Sequence, residues 1–186
     1  GGGHSLFEYS VEAAGALADA FLAEGNRVGL LVYSQYVQWT LPGYGKLQRE
    51  RILHALAAAR TGASQIFDGL QYLPTRMFPG ESQIVLVSPL VEDDYSTLVQ
   101  LRARGYQVLL IVPDPVSFEQ ARLAGGGRSH AAEDIELAAR IVRLERRLLI
   151  GRLQRAGLQV VEWDVARPFE QALRGALGRP RPGVRR

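Results

Sequence analysis

Three short runs of nearly unbroken apolar residues, Val28–Tyr33, Gln83–Val87 and Gln107–Val112, together with a further strand at Leu158–Trp163, dictate the architecture of this chain. A strand with one wet face alternates polar and apolar residues, whereas a strand covered on both faces is apolar throughout. Segments of helical period lie between these runs, and strands alternating with helices predict a parallel sheet with helices on both sides. The expected fold is therefore three-layer, Rossmann-like α/β.

The punctuation between the runs sets the expected boundaries. Ser5-Leu6-Phe7-Glu8 has the form of a capping box, in which serine caps a helix and glutamate reaches back to the cap. Phe7, Val11, Ala14, Ala18, Phe21 and Leu22 then recur at helical spacing until Gly25. Ser34-Gln35 reads as a tight turn from Val28–Tyr33 into Tyr36–Leu41, giving an antiparallel hairpin whose second strand sits at a sheet edge. A helix is expected over Lys46–Ala59, with Leu47, Leu53 and Leu56 among its apolar positions, and a short one from Ser64 to Leu73. Glu92-Asp93-Asp94 opens a helix through Arg104, where the helix dipole favours acids. Residues 114–131 contain Gly125-Gly126-Gly127 and read as a mobile excursion. Ala132–Ala156 is the longest expected helix, Pro168–Leu177 the last, and 179–186 a basic, disordered tail.

Charge and composition exclude several function classes. The chain has 186 residues, 47% of them hydrophobic and 22% charged, which suits one globular domain over residues 1–178. The absence of cysteine removes disulfides and thiolate metal sites. Of the basic residues only Lys46 is lysine, and the net charge of +3 is too small to argue for nucleic acid by itself. Arg140, Arg143, Arg146, Arg147, Arg152 and Arg155 nevertheless crowd one helix, with further arginines in the tail. A nucleic-acid-binding domain using helix 140–155 and the tail is the alternative reading; no nucleic acid is expected on the leading one. Leu137, Ile141, Leu144 and Leu148 make an apolar stripe on that helix, which predicts arginines on its flanks and outer face.

In open parallel sheets ligands bind beyond the carboxyl ends of the strands, so the loops there carry the search. Val28–Tyr33 is followed by Ser34-Gln35, with neither the glycines nor the helix a dinucleotide needs. No phosphate-loop sequence occurs. Gly62-Ala63-Ser64 begins like a nucleophile elbow, but Ile66 replaces the second glycine and no strand runs into it. The histidines are His4, His54 and His130; His54 reads as a surface or boundary residue of its helix, and His130, in the excursion, has no cysteine at metal-ligand spacing. Glu92, Asp93 and Asp94 form an acidic cluster that suits either a helix start or a hard cation. No catalytic residue is expected.

The succession of helix, Arg27-Val28-Gly29-Leu30-Leu31-Val32-Tyr33, hairpin, Pro42-Gly43-Tyr44-Gly45, helix, Gly62-Ala63-Ser64, short helix and Ile84-Val85-Leu86-Val87-Ser88 resembles the von Willebrand factor A domain. More narrowly, it resembles the prokaryotic domain-of-unknown-function family fifty-eight, often encoded beside MoxR-type AAA+ ATPases. The most family-like stretch runs from Phe7-Glu8-Tyr9 to Gly25-Asn26-Arg27-Val28-Gly29-Leu30, and the resemblance covers about residues 5 to 175. Such domains open with a central strand ending in D-x-S-x-S. Here Gly1-Gly2-Gly3 stand where the loop after that strand would be, so the first central strand is expected to be missing and the domain truncated. Without it, Val28–Tyr33 and Gln83–Val87 must pair directly, leave a gap or recruit a strand from another chain, and an open central edge drives association, including homo-oligomers.

Carried over residue by residue, the resemblance puts Ser64 at the threonine of the metal site and Pro89 at its aspartate, with Ser88 as the residue before it. Proline offers no side-chain oxygen, so the site is expected to be degenerate and Mg²⁺ is not expected to bind. The resemblance implies a non-enzymatic protein-interaction module. Its partner would be a MoxR-type ATPase or a protein that ATPase remodels, and it would be the cytoplasmic domain of a membrane-anchored parent. Tyr33, Ser34, Ser64, Ser88, Glu92, Asp93 and Asp94 would line the partner surface.

Overall fold

The computed structural model describes residues 5–33, 37–60, 78–80, 82–90, 92–114 and 131–172. The elements run α1 (Leu6–Ala23), β1 (Val28–Tyr33), β2 (Val37–Gly43), α2 (Gly45–Ala58), β3 (Gln83–Val87), α3 (Asp94–Ala103), β4 (Gln107–Pro113), α4 (Ala131–Arg155) and β5 (Gln159–Trp163). Residues 169–172 add a helical turn where the last helix was expected. The expected short helix from Ser64, residues 115–130 of the expected 114–131 excursion and the tail lie outside the described residues. The protein is mixed α/β. Among the described residues the strands form two sheets, an antiparallel β1-β2 pair and a parallel β3-β4-β5 sheet. The sequence predicts this hairpin at the edge of one common sheet. In the structure β1 and β2 close locally as a pair, while β3, β4 and β5 are joined by helical crossovers, which parallel pairing requires. By contact density the chain divides into two compact units, Gly1–Leu73 and Pro74–Arg186.

In the first unit, the Ser5 hydroxyl accepts from the Glu8 backbone N–H and the Glu8 carboxylate accepts from the Ser5 N–H, completing the capping box. Gly25 takes a φ of 82°, which lets its own N–H donate to Leu22 O and the Asn26 N–H donate to Phe21 O. These two bonds close α1 as a Schellman motif. Ala18 and Leu22 of α1, Val32 of β1, and Ile52 and Leu56 of α2 form the core, with Phe7 and Val11 against it. Each fully buried aliphatic side chain there contributes about 1.5–3 kcal/mol. The buried stripe of α2 is Gln48, Ile52 and Leu56 rather than one containing Leu47, which is exposed. Gln48 is only 2% exposed, and its Nε2 donates to Val28 O at 2.7 Å and Leu41 O at 2.8 Å. One amide thus fixes α2 to both strands of the hairpin. The pairing shifts register between Val28 and Leu30, where a Cβ on Gly29 would lie 2.9 Å from Pro42 Cγ.

In the second unit, β4 is buried at every residue from Val108 to Pro113, as its unbroken apolar run requires. Leu98 and Leu101 of α3, Leu149, Ile150 and Leu153 of α4, and Val161 and Trp163 of β5 complete this core. The Phe169 ring meets Trp163 edge-on at 4.9 Å. Gly157, at a φ of 84°, ends α4 with the same pair of bonds that closes α1, from Gly157 N–H to Gln154 O and from Leu158 N–H to Leu153 O.

The core face of α4 is not the one expected. Leu137, Ile141, Leu144 and Leu148 are exposed, and the helix packs through Leu149, Ile150, Leu153 and the stem of Arg146. Period identifies an apolar stripe but not what it faces, and α4 carries two such stripes on roughly opposite sides. No helix among the described residues is long and apolar enough to cross a membrane.

Candidate docking rim at the carboxyl ends of the parallel strands

The parallel register pairs Val87 with Ile111 and Pro113 with Trp163, so β3, β4 and β5 end together. The residues that follow are Ser88, Asp114 and Asp164. The Ser88 N–H donates to Ile111 O at 3.1 Å and the Asp114 N–H to Trp163 O at 2.8 Å, extending both ladders by one step. Beyond Ser88 the chain turns sharply. Pro89 is exposed, and Leu90 takes a φ of 55°, a left-handed conformation that is strained for a leucine. The Leu90 N–H donates to Ser88 Oγ at 3.4 Å, so that hydroxyl helps to hold the turn.

The acidic cluster divides into three environments. Glu92 is exposed and forms an ion pair with Arg152 near the end of α4. The Arg152 guanidinium also sits 4.2 Å from the centroid of the Tyr95 ring, a cation–π distance. Asp93 is exposed at the start of α3 and makes no side-chain cap bond. Asp94, the first helical residue, is 5% exposed. The sequence signal for a helix start was therefore sound, while the sixty-residue reach from Glu92 to Arg152 had no local signature.

A second ion pair lies at the neighbouring strand end. Arg146 donates through Nη1 to Asp114 Oδ1 at 3.2 Å and through Nη2 to Val112 O at 2.9 Å. Burial lowers the affinity of this guanidinium for its proton, against the opposing fields of Asp114 and Glu162. Its Nε has no hydrogen-bond partner among the described residues. Sequence reasoning passed over Asp114 and took Arg146 only as one of an arginine-rich helix, although Asp114 directly follows an apolar strand and Arg146 sits four residues before buried Ile150. Of the arginines that make up the alternative nucleic-acid stripe, Arg146 and Arg152 are bound to acids of this rim, while Arg140, Arg147 and Arg155 are exposed.

Of the expected surface residues, the structure brings together Ser88, Glu92, Asp93 and Asp94 between β3 and the start of α3. Tyr33 ends β1 in the first unit. Ser34 and Ser64 lie outside the described residues. Among the described residues no three His, Cys, Asp or Glu side chains are grouped so as to hold a metal ion. No protein-family model matches the chain, and no curated protein and no solved structure matches it.

Proposed function

We propose that this chain is a non-enzymatic protein-interaction module of von Willebrand A-like class, similar to the prokaryotic domain-of-unknown-function family fifty-eight, with a degenerate metal site. It docks a protein through the rim beyond β3, β4 and β5. The observation that carries this reading is the commitment of the rim's charges to one another: Glu92 to Arg152 and Arg146 to Asp114. Carboxylates engaged in this way support a rigid, charged docking surface better than a cation site, which needs oxygens free to converge. Pro89 standing where the family resemblance puts an aspartate favours the same conclusion.

The family resemblance further suggests that the partner is a MoxR-type AAA+ ATPase or a protein it remodels, met in the cytoplasm by a domain of a membrane-anchored parent.

The test is binding of a purified MoxR-type ATPase, one encoded beside this chain's gene, measured by biolayer interferometry. The expected result is saturable binding that falls at least tenfold on Pro89→Arg or Asp93→Arg, both exposed positions. Absence of binding, or binding indifferent to both substitutions, would overturn the proposal.

A further inference from the structure

The exposed face of α4 is the feature that the docking rim leaves unexplained. Leu137 is 58% exposed, Ile141 51%, Leu144 59% and Leu148 59%. Their spacings of four, three and four residues place them in one line along about three turns, the spacing of a two-helix seam. Together they present roughly 400 Å² of apolar surface, within the range of the largest patch on an ordinary monomer and of a kind that is often functional. The seam ends at Gly151, where an added Cβ would meet nothing within 4 Å.

We infer that this face binds a second copy of the same helix, in parallel, to form a two-fold symmetric dimer. The charges beside the seam select the occupant. Arg140 lies on one flank and Glu145 on the other, both exposed. In a parallel pair, a residue on one flank faces the residue five positions later on the partner's opposite flank, so each Arg140 meets a Glu145. A two-fold axis makes that contact twice, which is the self-complementarity an isologous interface requires. An antiparallel pair would instead bring Arg140 against Arg147. The next flanking contact in the parallel arrangement sets Arg147 against Arg152, and there the repulsion is reduced because Arg152 already holds Glu92 and lies over Tyr95. Two apolar faces with their charged flanks bury on the order of 1,000 Å² in total, near the lower limit for a specific interface. The dimer is therefore expected to be reversible, with a micromolar dissociation constant. A membrane surface is the less favoured occupant, because an interfacial helix carries basic residues along its polar margins and Glu145 interrupts one of them.

Sedimentation velocity of the full chain from about 1 to 200 µM is expected to show a reversible shift from monomer to twice its mass. Ile141→Glu with Leu144→Glu should abolish that shift while leaving the thermal melt of the dilute protein unchanged, since both residues are exposed. Arg140→Glu should weaken the dimer at least tenfold, and adding Glu145→Arg should restore it. Because the chain has no cysteine, Leu144→Cys should form an intermolecular disulfide rapidly only if the two helices are parallel and in register. A wild-type monomer at 200 µM would overturn the inference. So would a dimer indifferent to the glutamate pair, a dimer strengthened by Arg140→Glu, or a monomer that co-sediments through this face with phosphatidylserine-containing vesicles.

Discussion

Gln48→Met should destabilise the first unit by about 2 kcal/mol, although methionine is close to glutamine in volume and in helix propensity. Gln48 is buried, and its amide donates both hydrogens to backbone carbonyls, Val28 O at 2.7 Å and Leu41 O at 2.8 Å. Methionine supplies no donor. Each carbonyl left without a partner loses about 1–3 kcal/mol, depending on how far water can reach it. Burying a thioether in place of an amide returns about 1–2 kcal/mol, which leaves a net loss of about 2. Hydrogen exchange of the β1 and β2 amides measures this directly. A loss of 2 kcal/mol corresponds to an increase of about thirtyfold in the opening equilibrium at 25 °C. Urea unfolding followed by circular dichroism should show the transition of the variant shifted down by about 1 M. A change in exchange below about threefold would refute the reasoning, because it would mean that the hairpin carbonyls are solvated without Gln48.

Three further substitutions test separate parts of the structure. Leu90→Gly should stabilise the second unit by up to about 1 kcal/mol in urea unfolding, because glycine adopts the φ of 55° without strain; a loss greater than 1 kcal/mol would show that packing of the leucine outweighs its backbone strain. Asp114→Ala should cost about 2–3 kcal/mol by leaving the Arg146 guanidinium half-paired. Combining Arg146→Met with Asp114→Ala should recover at least half of that loss, and additive effects of the two single substitutions would contradict a coupled pair. Gly29→Ala should cost about 1–3 kcal/mol, since its Cβ would fall 2.9 Å from the Pro42 ring; an unchanged melting temperature would contradict this.

Burial on both faces is written into the sequence as an unbroken apolar run, and β4 bears this out; β1 and β3 were legible as strands from similar runs, although β3 is at most half-buried along its length, and β5 carries an exposed Glu162. Helix ends were legible where a local device sets them, as at Ser5, Glu8, Gly25 and Gly157. The chain continues β2 through Pro42 to Gly43, past the expected end at Leu41; proline is tolerated on such an edge because its missing N–H withholds no ladder bond there. Partnership across the sequence was not legible. The contacts of Glu92 with Arg152 and of Arg146 with Asp114 span tens of residues and leave no periodic trace. Gln48 was passed over because a polar residue on a helix reads as solvated, although it lies four residues before Ile52 and eight before Leu56. The division into two sheets depends on which strands pair, and the apolar pattern of a strand does not name its neighbour.

Calorimetric titration of the full chain with Mn²⁺ tests most directly whether the rim is a docking surface rather than a cation site. The engagement of Glu92 by Arg152, together with Pro89 beside Ser88, gives an expected result of no site tighter than about 1 mM. A micromolar site lost on Asp93→Asn or Glu92→Gln would contradict the account.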